Sequence, residues 1–97
     1  MVVIALLTLD IHIPHAQSLK EKRMVVRSLK DRLRTKFNVA VSEVDHQDLW
    51  QRASLGLAVV GSDAKLIESL ITQTLNLVVS LHLGEVSAEN RDLIYYE

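Results

Sequence analysis

A strong helix pattern begins at Ser18 and continues to about Lys36, and it limits the folds that the rest of the chain can form. Ser18 and Glu21 have the spacing of a capping box, in which the Ser18 hydroxyl accepts from the Glu21 N–H and the Glu21 carboxylate accepts from the Ser18 N–H. Apolar residues then recur at helical spacing and predict one buried stripe: Leu19, Val26, Leu29, Leu33 and Phe37. A helix with one apolar stripe needs an apolar surface to cover, so the flanking segments must supply one.

Strand patterns lie on both sides of this helix. Val2 to Ile13 alternates, with one fully apolar face made of Val3, Ala5, Leu7, Leu9, Ile11 and Ile13. Pro14 ends this strand because proline cannot donate to a ladder. A second strand from Val39 to Val44 and a third from Trp50 to Gly61 are separated by a polar turn, which predicts a hairpin.

The last third of the chain predicts a second helix and a final strand. Ser62 or Asp63 caps the helix, which ends near Ser80 to His82. Its predicted buried face consists of Leu66, Ile67, Leu70, Ile71, Leu75, Val78 and Val79. Leu83 to Tyr96 follows as one strand or as a short strand pair, because Gly84 and a polar segment interrupt the pattern.

The order strand, helix, strand, strand, helix, strand predicts an α+β, ferredoxin-like βαββαβ sandwich over residues 1–97, which we expect to form a single domain. Its antiparallel four-stranded sheet has both helices on one face and the spatial order fourth, first, third, second. An open meander is disfavoured because both helices have single-sided apolar stripes. The uncovered sheet face carries either Val2, Ile4 and Leu6 or the opposite set of β1 side chains. We expect Val2, Ile4 and Leu6 to form a partner interface, together with Trp50, in a homodimer.

Charge is distributed unevenly along the chain. The formal net charge is −1, yet residues 18–36 hold eight of the eleven basic residues and two of the twelve acidic ones, so this segment carries +6 and the remainder −7. Five cations follow one another at steps of three or four along one helix edge: Lys20, Arg23, Arg27, Lys30 and Arg34. The pattern predicts a nucleic-acid-binding edge, flanked by Arg32 and Lys36. The alternative is a solvated face that pairs weakly with acids, and Lys22 is expected to snorkel over the core edge.

Several separated blocks carry a resemblance to a known family. They are Ala16 to Arg23, Lys36 to Val39, Val41 to Val44, Asp48 to Gln51 and Ser54 to Gly56. In order and spacing they resemble the YlxP-like family of small bacterial proteins of unknown function. The resemblance implies a ferredoxin-like fold and a bacterial cytoplasmic protein, frequently encoded beside transcription-elongation, translation-initiation and ribosome-maturation factors. It supplies no catalytic residue and no established ligand.

Enzyme and metal-site signatures are weak. The absence of cysteine excludes disulfides and thiolate chemistry. Four histidines are expected near one sheet end, with Asp10, Asp45 and Asp48, but none has the close spacing of a dedicated metal site: His12, His15, His46 and His82. No nucleophile with an adjacent base and no glycine-rich phosphate loop is evident. We therefore predict a protein that is not an enzyme and has no cofactor or metal.

The leading hypothesis from the sequence is an accessory factor that binds ribosomal or other structured RNA through the basic helix. Two alternatives stay open: a homodimeric protein–protein interaction module that uses the open sheet face, and a small-molecule-sensing domain. Trp50 is a candidate for stacking on a base, or for packing across a hairpin or a dimer interface. The Val2 to Leu7 run is too short to span a bilayer, so no membrane contact is expected. The absence of cysteine fits a reducing cytoplasm, and together with the resemblance it predicts a cytoplasmic location.

Overall fold

The strands and helices follow the predicted order. The computed structural model describes all 97 residues. Its elements are β1 (Val2–His12), α1 (Leu19–Lys36), β2 (Ala40–Asp45), β3 (Arg52–Gly61), α2 (Ala64–Leu81) and β4 (Glu85–Tyr96). The strands form one antiparallel sheet in the order β2-β3-β1-β4, with β2 and β4 at the edges. The predicted ferredoxin-like α+β fold and its strand order are confirmed.

The alternation of β1 divides the sheet into a core face and an open face. Leu7, Leu9 and Ile13 are completely buried, whereas Val2 and Leu6 on the other face are 40 % and 39 % exposed. The helices pack on the core face, where Val26, Leu29 and Leu33 of α1 and Ile67, Ile71 and Val78 of α2 join the apolar cluster. Each such side chain removed from water contributes about 1.5 to 3 kcal/mol.

The cap of α1 follows half of the predicted capping box. The Ser18 Oγ accepts from the N–H of Glu21 at 3.1 Å, as predicted. The Glu21 carboxylate, however, accepts from the N–H of Gln17 and not from that of Ser18. Ser18 has an extended backbone, φ −161° and ψ 163°, and the Gln17 N–H is the donor that lies within reach of the carboxylate.

The buried face of α2 is narrower than predicted. Ile67, Ile71 and Val78 are buried, but Leu66 and Val79 are 70 % and 51 % exposed, so their predicted burial was wrong. The helix contacts the sheet mainly at β1 and β3, which covers only the stripe nearest to those strands. Between the two cap candidates, the structure selects Asp63, whose carboxylate accepts from the N–H groups of Lys65 and Leu66.

The last strand is continuous, which settles the alternative left open by its sequence. β4 pairs with β1 from Val2 opposite Tyr96 to His12 opposite Glu85. One register shift lies between Asp10 and Ile11, where Ser87 is the extra residue on β4. This β-bulge absorbs the irregular polar segment without ending the strand.

Neither helix combines the length and the hydropathy that a bilayer crossing requires.

Candidate nucleic-acid interface

Helix α1 directs its row of cations toward the outer edge of β2, the edge that does not pair with β3. At the end of the row, the Arg34 Nη2 donates to the Val41 carbonyl of β2 at 2.7 Å. Arg32 and Lys36 lie on the opposite flank of α1, where they line a groove together with Leu77 of α2. The five predicted residues therefore share one flank, whereas the two cations predicted to accompany them do not lie on it. We call Lys20, Arg23, Arg27, Lys30 and Arg34 the basic edge.

Four cations of the basic edge have no anionic partner. Lys20, Arg23 and Arg27 are exposed and Lys30 is half-buried. None of them takes part in an ion pair within 4.0 Å, and none donates a hydrogen bond within the chain. Arg34 differs because its guanidinium is held at the β2 backbone. Four unpaired positive charges, aligned on a single helix, can contact a run of anionic groups.

One of the four lysines of the helix is buried, which the sequence pattern did not predict. Lys22 is 0 % exposed, so the expectation that it snorkels to the surface was wrong. Its Nζ donates to the Glu43 Oε2 at 2.7 Å and to the carbonyls of His46 and Gln47 at 2.9 and 3.2 Å. All three N–H groups of the ammonium thus have acceptors, as a buried charge requires.

The buried Lys22 fixes the basic edge relative to the sheet. It ties the first turn of α1 to the last part of β2 and to the β2–β3 connection. Two positional signals could have indicated this pair. Lys22 precedes Val26 by four residues on the buried stripe, and Glu43 follows Val41 by two residues on the core face of β2. Both are charged residues at positions where the pattern requires burial, and opposite charges at two such positions predict a pair.

The open sheet face is apolar only at one end. Val2 lies opposite Tyr96, and Ile4 lies between Val60 and Ile94. Of these, Val60 and Tyr96 are each 68 % exposed. At the other end the same face is polar, and the Ser54 hydroxyl donates there to the Asp10 carboxylate. The predicted interface residues Val2, Ile4 and Leu6 therefore share a surface with further apolar neighbours from β3 and β4.

Trp50 does not belong to that surface. β3 begins at Arg52, so Trp50 lies in the β2–β3 connection and not in the predicted strand. It is 55 % exposed and borders a shallow depression with His12 and Arg52. Val2 and His12 are at opposite ends of β1, about 33 Å apart at a rise of about 3.3 Å per residue. The structure therefore separates Trp50 from Val2, Ile4 and Leu6, because the turn before β3 lies at the far end of the sheet.

Two of the four histidines each lie near one acid, and the four do not form one metal-binding cluster. The His12 Nδ1 lies 3.6 Å from the Glu85 carboxylate, and the His46 Nδ1 lies 3.9 Å from the Asp45 carboxylate. His82 has left-handed backbone, φ 52°, at the end of α2. No group of three or more His, Asp or Glu side chains is arranged to hold a metal ion.

A groove of about 740 Å³ lies between α2 and β4. Its floor includes Ala5, Ile71 and Leu93, and its walls carry charged side chains of both signs. Arg91 crosses it and donates to the Thr72 hydroxyl at 3.0 Å. The groove is open and its charges are mixed, so it offers no single ligand chemistry.

Together these features define a class of protein: a ferredoxin-like α+β domain whose first helix presents a row of unpaired cations beside an edge strand. The chain belongs to the family described as "Protein of unknown function (DUF503)", whose model matches residues 4–91. It is also 43 % identical over 65 residues to "Uncharacterized protein YlxP" of Bacillus subtilis (strain 168), covering 67 % of this chain and 71 % of that protein. These matches confirm the resemblance drawn from the separated sequence blocks.

Solved structures share the fold at low sequence identity. "De novo designed protein Foldit4" matches with a TM-score of 0.57 and 13 % identity, covering 100 % of both chains. "Structural Genomics, protein YJCS" matches with a TM-score of 0.50 and 11 % identity, covering 95 % of this chain and 99 % of that one. Likeness at this identity shows the fold alone.

Proposed function

We propose that this protein is a non-catalytic accessory factor that binds structured RNA, such as ribosomal RNA, through the basic edge of α1. One observation carries the proposal: Lys20, Arg23, Arg27 and Lys30 are aligned on one helix flank and have no anionic partner within the chain. A solvated face that merely balances its own charges would place acids beside these cations.

The geometry favours recognition of the phosphate backbone. From Lys20 to Arg34 the basic edge spans about 21 Å at 1.5 Å per residue, and the helix holds the spacing rigid. No aromatic residue lies within the edge, so stacking of bases on aromatic side chains does not contribute there. Contacts of this kind position a protein on a folded RNA and read its shape, not its sequence.

The distribution of charge limits the contact to this edge. Residues 18–36 carry +6 and the rest of the chain −7, so the remaining surface repels phosphate. Such a layout orients the protein as it approaches an anionic partner.

The first experiment is binding of the purified protein to ribosomal subunits and to folded ribosomal RNA over a salt series. With four phosphates neutralised, the logarithm of the affinity falls with the logarithm of salt concentration with a slope of about −3 to −4. Raising salt fourfold, from about 50 to about 200 mM, then weakens binding by roughly 50- to 150-fold. A salt-independent interaction, or none, contradicts the proposal.

A matched pair of variants separates the basic edge from net charge. Arg23→Glu/Arg27→Glu and Arg32→Glu/Lys36→Glu change the charge of α1 by the same amount, on opposite flanks. We expect the first variant to lose RNA binding and the second to retain most of it. Equal losses in both variants would mean that only the overall charge of the helix matters.

The open sheet face supports a second candidate function, a homodimeric protein–protein interaction module. The observation in its favour is the continuous apolar surface around Ile4, with exposed side chains from β1, β3 and β4. If the protein is such an interaction module, the basic edge binds acidic side chains of a partner protein. Leu6→Asp would then abolish capture of the partner protein, nucleic acid would compete poorly, and the charge-reversed α1 variants would bind RNA no differently from the wild type.

A further inference from the structure

The two edge strands of the sheet, β2 and β4, differ in whether their outward-facing backbone groups have hydrogen-bond partners. On β2, the Arg34 guanidinium covers the Val41 carbonyl, and the Gln47 side-chain amide donates to the Glu43 carbonyl. On β4, no backbone group takes part in any hydrogen bond beyond the β1 ladder, over a strand of 12 residues. An unpaired edge of this length is a template for another strand. Two carbonyls of the β2 edge are thus covered, whereas the β4 edge is open along its length.

The side chains of β4 restrict which strand can be added. Glu89 lies opposite Leu9 and Arg91 lies opposite Leu7, so both charges lie on the helix side of the sheet, two residues apart. They form a 3.5 Å pair with each other, and each side chain is about 40 % exposed. Charges on an edge strand usually oppose pairing. An acid and a base two residues apart can instead pair with the base and the acid of a second copy of the same strand.

Only one register satisfies both charges. When two copies of β4 pair antiparallel with their helices on the same side of the sheet, one residue must lie opposite its own copy. Centring the pair on Asn90 places each Glu89 opposite Arg91 of the second copy. Centring it on Glu89 or on Arg91 places like charges opposite each other, which destabilises a sheet.

We propose that β4 pairs antiparallel with β4 of a second copy about Asn90, so that two four-stranded sheets join into one sheet of eight strands. The bulge at Ser87 limits the regular part of this interface to Ala88–Asp92 and its immediate neighbours. The contact uses backbone hydrogen bonds together with two Glu89–Arg91 cross-strand pairs.

This arrangement leaves the basic edge free. In the joined sheet the two β2 strands lie at opposite ends, seven strand spacings or about 34 Å apart. The two basic edges then face outward from one rigid body. The inference does not depend on the proposed function, because self-association and RNA binding are measured separately.

The test is a charge swap followed by sedimentation equilibrium over a concentration series. We expect the wild type to dimerise reversibly. Glu89→Arg alone and Arg91→Glu alone each weaken the dimer by roughly tenfold or more, because each places like charges opposite each other twice. The double variant Glu89→Arg/Arg91→Glu restores the affinity. An equimolar mixture of the two single variants forms heterodimers, because each supplies the charges that the other needs.

Two controls separate the interface from folding and from net charge. Asp31→Arg makes a charge change of the same size on α1, away from β4, and leaves the dimer unchanged. Glu89→Arg keeps the hydrogen bond from Arg91 to Thr72, so its thermal unfolding stays close to that of the wild type.

Any one of four results would overturn the proposal. The first is a wild type that stays monomeric up to its solubility limit, and the second is single charge variants that dimerise as well as the wild type. The third is failure of both the double variant and the mixture to restore the dimer, and the fourth is loss of the dimer in Leu6→Asp but not in the charge variants. The last result would assign self-association to the open sheet face.

Discussion

The buried ion pair between Lys22 and Glu43 is expected to contribute strongly to stability, and replacing Lys22 by methionine tests this contribution. Lys22→Met keeps the length of the side chain but removes the charge that faces Glu43. Breaking a buried ion pair by removing one partner costs about 3 to 5 kcal/mol. The Glu43 side chain is 16 % exposed, so water partly hydrates the carboxylate that is left behind. The expected loss therefore lies at the lower end, at about 3 kcal/mol.

The assay is thermal and urea unfolding with a matched control. For a domain of this size, a loss of about 3 kcal/mol lowers the Tm by about 12 to 24 °C. Lys20→Met makes the same substitution two residues earlier at an exposed position, and we expect it to change stability by less than about 0.5 kcal/mol.

The double variant Lys22→Met/Glu43→Leu distinguishes the cause. Replacing both partners of a buried pair by apolar residues is often close to neutral, so it should return most of the stability lost in Lys22→Met. The reasoning is refuted if Lys22→Met costs less than about 1 kcal/mol, or if the double variant is less stable than the single one.

Three further predictions concern a close packing contact, a helix cap and the basic edge. Gly84→Ala places a Cβ 2.6 Å from the Ile11 Cγ2 and 3.1 Å from a backbone carbonyl, so urea unfolding should show a loss of about 1 to 3 kcal/mol. Asp63→Ala removes the acceptor for two N–H groups of α2 and should cost about 1 kcal/mol in the same assay, whereas Ser62→Ala should cost almost nothing. Arg27→Gln should reduce the magnitude of the salt slope for RNA binding by about 0.7 to 0.9, as measured by titration at several salt concentrations; an unchanged slope would show that Arg27 contacts no phosphate.

The fold was predictable because local patterns and global topology agree. The alternation in β1 identified every core residue from Val3 to Ile13, and the apolar spacing of α1 identified Val26, Leu29 and Leu33. The order of elements then left one favoured topology, since crossovers are right-handed. The failures in α2 have a different origin. Leu66 and Val79 fit a helical apolar face, but burial depends on which strands lie beneath the helix.

The candidate site was predictable in part. Helical spacing placed the five cations of the basic edge on one flank, and the structure shows that Arg34 is engaged with the Val41 carbonyl. Spacing could not show that the other four lack acidic partners, because those partners would come from other elements. The grouping of Trp50 with Val2 failed because the length of β1 separates them.

The identities and faces of the strands and helices follow from the amino-acid order alone, since side-chain periodicity and capping are properties of neighbouring residues. The environment of the charged side chains, in contrast, depends on how the elements pack. The tertiary structure buries Lys22 among one carboxylate and two carbonyls, and it covers a carbonyl at the edge of β2 with Arg34 while leaving the edge of β4 free. The physical reason is that the state of a charged side chain depends on solvent access and on partners that are distant in the chain, and packing alone brings these together.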